Sequence, residues 1–354
     1  MSDETTEIQT AEVSDAPSLL PDFKKVCVKL GLMMIVIFVS RMVASVIGAL
    51  ISPSLEGMDI TLVYTLETVL SFVFLYLIPI ALAIVIMREP KKDKMKEIYS
   101  KPQYLGRALG MYPALYALAI TVNLLTMLLG QFFAETDLNK SFNTVNDLQP
   151  ANLPCALILF FQLVVIAPVF EEFWFRGIVM ESLRPYGNGF AIFVSGLLFG
   201  MTHANFQQFF YATTLGICLG YIAISTRSIV TTTIMHAMFN SVSGVLLLLM
   251  SVESVGDYML AAESGEEAEM TAAVVVFLVF MFMIILTMMV GLVMAVFKIK
   301  KIKKYKVPKV QTELSSGKRW GVFFTRVTVI IMLVLALDTF TFQFIPNFIY
   351  DIIA

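Results

Sequence analysis

Charge is what this sequence has least of. Only 15% of its 354 residues are Asp, Glu, Lys or Arg, and 58% are hydrophobic. A soluble domain carries about a quarter charged residues and roughly 45–50% apolar ones. With a mean hydropathy of +0.81, the chain reads as an integral membrane protein, and an ordinary soluble domain is excluded. The net charge of −2 says little, because in a membrane protein the placement of charge matters more than its sum. Cysteine is also scarce. Cys27, Cys155 and Cys218 lie far apart with no CxxC spacing, so no disulfide framework is expected and each reads as a small buried hydrophobe. A basic n-region is missing from the N-terminus. Residues 1–22 are acidic, polar and punctuated by proline, which reads as a short disordered cytosolic tail and not as a cleaved signal peptide. Histidine is the scarcest polar residue of interest, with two in the whole chain.

What is present is a series of long apolar runs. A spanning helix needs about 20 mostly apolar residues. Nine segments qualify, near 26–51, 62–87, 105–133, 152–175, 189–204, 206–225, 228–250, 271–297 and 321–345. The fifth is short and ends at His203, as a tilted, broken or re-entrant segment would. The fold class expected is therefore all-α, a polytopic transmembrane bundle of about eight to nine helices around a buried polar cavity. Basic residues collect in alternate connections: Lys24, Lys25 and Lys29 flanking the first helix, "REPKKDKMKEIYSK" at 88–101, and seven lysines in 298–309. The other connections are acidic, with Glu56 and Asp59, then Glu135, Asp137 and Asp147, then 252–269. The positive-inside rule then places the protein in the cell membrane with a cytoplasmic N-terminus, and nine crossings would put the C-terminus outside. Topology accounts for the lysine runs, so no nucleic-acid partner is expected.

Three charges sit inside one apolar run. In "VFEEFWFRGIV" (169–179), Glu171, Glu172 and Arg176 are the only charges between Asp147 and Glu181. Each costs about 2.5–3.5 kcal/mol at the bilayer centre before pairing. Glu172 and Arg176 are i,i+4 on one helix face and can pair. Glu171 is about 100° around the helix, with Phe175 at its own i+4 position, so the helix offers it no partner. Both histidines also fall at membrane depth, His203 in "LLFGMTHANF" (197–206) and His236 in "IMHAMFN" (234–240), where Asn240 follows at i+4. Helix rise places Glu171, His203, His236 and Asn240 about 10–20 Å into the bilayer, where polar groups normally face a cavity. A glutamate there can act as general base. A histidine can hold the same water or bind zinc, and an imidazole beside an asparagine amide offers two donors to an oxyanion. These are the parts for adding water to an amide carbonyl. No serine or cysteine accompanies a histidine as a nucleophile: Ser195 is eight residues from His203 and roughly opposite it on the helix.

Three motifs in order, "EEFWFR" (171–176), "FGMTH" (199–203) and "HAMFN" (236–240), resemble those of the CAAX protease and bacteriocin-processing (CPBP, or Abi) intramembrane peptidases. The resemblance covers roughly 150–250. It implies a catalytic helical core over 150–250, flanked by transmembrane helices over 23–149 and 251–354. It implies that Glu171 activates water, that Glu172 and Arg176 are a supporting pair, that His203 holds the water or a metal, and that His236 and Asn240 serve metal binding or the oxyanion. Phe199 would be a packing position one turn before His203. The cofactor would be none, or zinc on Glu171, His203 and His236; the HExxH zinc motif is absent. The implied partner is a membrane-associated protein or peptide substrate in the lipid bilayer. Two other classes remain open on sequence. One is a non-catalytic immunity or scaffold protein that kept the fold. The other is a proton-coupled transporter, which would call for repeat symmetry, and none is visible.

Overall fold

The computed structural model describes residues 19–88, 92–132, 150–267, 269–302 and 314–341. Among them there are helices and no strands. In chain order the main helices are α1 (Leu19–Leu55), α2 (Ile60–Met87), α3 (Leu105–Gln131), α4 (Leu153–Tyr186), α5 (Asn188–Met201), α6 (Phe206–Thr226), α7 (Ile229–Met250), α8 (Glu253–Ser264), α9 (Ala272–Ile302), α10 (Ser316–Phe324) and α11 (Val327–Thr341). Most of the N-terminal tail, the connection holding Glu135, Asp137 and Asp147, and the lysines of 303–309 lie outside the described residues. Helix α1 already begins at Leu19, inside the stretch expected as tail.

Seven helices are long and apolar enough to cross a bilayer, and α10 with α11 makes an eighth if that pair, bent by 68°, is one span. The expected fifth crossing is α5, and it has only 14 residues. At about 1.5 Å per residue it falls short of a hydrocarbon core of about 30 Å. The nine-crossing count therefore loses its fifth member, and with it the argument for termini on opposite sides.

Short polar side chains start the helices. Asp59 accepts the amides of Thr61 and Leu62 at 3.0 Å to open α2. Asn152, Asn205 and Ser228 do the same for α4, α6 and α7, satisfying amides that have no partner inside the first turn. Two of the spans widen into π turns just before a proline. The turn Val73–Leu77 precedes Pro79 in α2, and Gln162–Ile166 precedes Pro168 in α4. Proline has no N–H to give back to the preceding turn, and a widened turn is one way the ladder adjusts.

Helices α5 and α6 form the tightest hairpin. Gly196 and Gly200, four apart on α5, let the two backbones touch: a Cβ on Gly196 would lie 2.7 Å from the Ile217 amide nitrogen, and one on Gly200 2.7 Å from the Phe209 carbonyl. Small residues at this spacing are how membrane helices pack closely without a hydrophobic driving force. The main core joins α1, the later half of α4, α5 and α11 around Phe23, Met33, Ile178 and Leu198, all essentially inaccessible. It clamps α4, which carries the three charges, against α1 and α5.

Candidate active site

The polar cluster begins on α4, where a third π segment, Phe173–Met180, follows Glu172. Arg176 is fully buried. Its Nη1 donates to Glu172 Oε1 at 2.8 Å and its Nη2 to the Gly216 carbonyl at 3.0 Å. Its guanidinium carbon lies 4.9 Å from the centre of the Phe199 ring. The i,i+4 pair is thus formed, and the α5–α6 hairpin completes the cation's surroundings. Removing one member of such a buried pair leaves the other uncompensated, at a cost of about 3–5 kcal/mol.

Glu171 finds its partners on other helices. The Tyr76 hydroxyl, in the widened turn of α2, donates to its Oε1 at 3.0 Å. Its Oε2 lies 3.7 Å from Nε2 of His236. The other ring nitrogen of His236, Nδ1, is 3.0 Å from Glu172 Oε1. One imidazole on α7 therefore stands between two sequence-adjacent glutamates, each reaching a different nitrogen. Because Glu172 is a carboxylate already held by Arg176, it accepts, so Nδ1 carries the hydrogen and Nε2 is left facing Glu171.

His203 sits in the turn between α5 and α6. Its Nδ1 donates to the Phe199 carbonyl at 3.2 Å, which leaves Nε2 outward. The turn is fixed from both sides: Arg41 of α1 donates to the Thr202 carbonyl at 3.0 Å, and Asn205 to the His203 carbonyl at 2.9 Å. Ala204 takes a left-handed φ of 57°, an uncommon conformation for a residue with a Cβ. Phe199 joins the histidines: its ring lies 5.2 Å from that of His203 and 5.5 Å from that of His236, both edge-on.

Asn240, one turn beyond His236, is tied elsewhere. Its Nδ2 donates to the Leu163 carbonyl at 2.8 Å. That carbonyl lies in the π turn, where the Ala167 amide reaches back five residues to Gln162. The next such donor would be residue 168, a proline without N–H. Asn240 supplies the missing hydrogen and keeps one amide hydrogen free. Glu171, Glu172, Arg176 and His236 thus form one connected cluster, His203 adjoins it through Phe199, and Asn240 is anchored beside it on α7.

Among the described residues, no three His, Cys, Asp or Glu side chains converge as ligands for a metal ion. The donors as placed do not fit a three-ligand zinc site. Ser195 donates to the Phe175 carbonyl at 2.8 Å and is fully buried, and all three cysteines are free thiols. Two residues escape sequence reasoning. Tyr76 looks like one more aromatic in an apolar run. Arg41 is, with Lys29, one of two charges inside the first apolar run, and that placement is the signal that marks it.

Known proteins are similar to this chain over the segment that carries most of the cluster. Residues 153–242 match the family model described as type II CAAX prenyl endopeptidase Rce1-like. The chain is also similar to the protein of Bacillus subtilis (strain 168) named "Putative membrane peptidase YdiL", with 27% identity over 96 residues. That match covers 27% of this chain and 38% of the relative's length. No solved structure matches. All the clustered side chains except Tyr76 and Arg41 lie within the matched segment, so the similarity to type II CAAX prenyl endopeptidases covers the site itself.

Proposed function

We propose that this protein is an intramembrane endopeptidase that hydrolyses a peptide bond of a membrane-associated protein or peptide. The observation that carries this reading is the His236 ring held between Glu171 and Glu172, with Nε2 3.7 Å from Glu171 Oε2. Tyr76 occupies Glu171 Oε1, so Oε2 is the oxygen available as base. A water donating to Oε2, and to the outward Nε2 of His203, presents its oxygen lone pair to a carbonyl carbon. As the C–O bond forms, the water proton passes to Glu171 and the carbonyl oxygen becomes an oxyanion. His236, when Nε2 carries a hydrogen as well as Nδ1, offers it to that oxygen, and Asn240 offers its second amide hydrogen. Collapse breaks the C–N bond, and the proton on Glu171 leaves with the amine. Glu172 and Arg176 touch no reacting atom; they fix the orientation of His236 as positioning residues.

The N-terminal end of α1, with Lys24, Lys25 and Lys29, faces the cytosol on this reading. The relevant experiment uses the purified full chain in lipid vesicles with a panel of lipid-anchored fluorogenic peptides. Wild type should cleave at least one of them, and the variants H203A and H236A should lose most of that activity while remaining folded and inserted. Cleavage at the wild-type rate by either variant would contradict its assigned role.

A further inference from the structure

Arg176 is held by the Glu172 carboxylate and the Gly216 carbonyl; Arg41 has no carboxylate partner among the described residues. Arg41 lies inside the apolar run 26–51 and bears the same penalty for a charge at depth. Among the described residues its one hydrogen bond is to the Thr202 carbonyl, and it has no ion pair. Four of its five N–H donors are left over. It lines a cavity of about 320 Å³ between α1 and α2, with Ser45 and Gly48 from its own helix and Glu67, Ser71 and Leu75 from the other. The lining positions 41, 45 and 48, and 67, 71 and 75, recur at helical spacing, so each helix contributes one face. A Cβ built on Gly48 meets no atom within 4 Å, so the groove is open there. From Arg41 to Gly48 it runs about 10 Å, the length of about three extended residues. Its Leu75 end adjoins Tyr76, whose hydroxyl holds Glu171.

We infer that this α1–α2 groove is a substrate subsite, and that Arg41 there binds a carboxylate of the peptide close to the bond being cleaved. This rests on the peptidase reading. A guanidinium fork with spare donors matches a carboxylate bidentately. The carboxylate comes either from the chain terminus or from an Asp or Glu side chain of the substrate. A lipid phosphate shares the charge but not the place. Arg41 is ten residues from the end of the apolar run at 51, about 15 Å along the helix, and headgroup phosphates stay at the interface.

The test uses the full chain in vesicles and paired lipid-anchored peptides. One pair differs only in a free or amidated C-terminus. A second pair differs only in Glu or Gln beside the bond found to be cleaved. In wild type, one of the two pairs should favour the acid by about tenfold or more in kcat/KM, mostly through KM, the size expected for a charged hydrogen bond. Which pair responds identifies the source of the carboxylate. In R41Q that preference should fall to within about twofold. G48L, whose Cβ would meet no atom within 4 Å, should raise KM for all four peptides and leave the melting profile unchanged. A merely structural Arg41, holding the turn at Thr202, would lower acid and amide cleavage equally in R41Q, and that result overturns the inference. So does an R41Q defect that follows the anionic lipid content of the vesicles and not the peptide carboxylate. Glu171-dependent cleavage indifferent to every carboxylate overturns this inference alone; no Glu171-dependent cleavage of any peptide overturns the peptidase reading with it.

Discussion

At the residue scale, the two adjacent glutamates have opposite duties, and substitution should separate them. Glu172 and Arg176 are both inaccessible. Glu172→Ala therefore leaves a buried cation unpaired and should cost about 3–5 kcal/mol, read as a lower thermal midpoint in detergent or vesicles. Glu171 is partly exposed, 20% at its side chain, and its neutral variant should fold normally. Tyr76→Phe removes only the hydroxyl that donates to Glu171 Oε1 at 3.0 Å. It should lower kcat by about tenfold with KM and melting unchanged, because a misaligned base costs rate and not binding; a wild-type kcat would show that the bond has no part in aligning Glu171. The i,i+4 pair was legible in sequence because its spacing is a helix rule. The partners of Glu171 were not, since Tyr76 is 95 residues away and nothing local marks it. The bond from Asn240 to Leu163 was equally hidden, although its cause, Pro168, was in plain view.

At the element scale, the hairpin of α5 and α6 sets where Phe199 and His203 stand. Gly200→Val would press a side chain against the Phe209 carbonyl and the Thr213 amide, with Cβ contacts of 2.7 and 2.9 Å. Overpacking of this kind costs about 1–3 kcal/mol, and the displaced turn should abolish cleavage. Gly189→Ala on the same helix meets nothing within 4 Å and should leave both melting and rate within error of wild type. Equal effects of the two substitutions would remove the close approach of the helices as the explanation. Apolar runs announced the helices well, with ends shifted by a few residues. They could not say that α5 is too short to span, because a 14-residue apolar helix against protein and one in lipid have the same composition. Nor could they announce the bend between α10 and α11.

At the scale of the whole molecule, the proposed orientation rests on the lysines at the start of α1 and the acidic connection after it. Lys24 is exposed on that helix. The variant K24C should react with a membrane-impermeant maleimide in inside-out vesicles and not in intact cells. Labelling from the outside of intact cells would reverse the topology. The central claim is narrower than topology: that hydrolysis depends on the one carboxylate facing His236 Nε2. The most direct measurement is the cleavage rate of the purified Glu171→Gln variant, set against wild type in the same vesicles and on the same peptide. The account requires a fall of about a thousandfold, within the range for a general base, in a protein that melts as wild type does. A Glu171→Gln protein cleaving at even a tenth of the wild-type rate would contradict it.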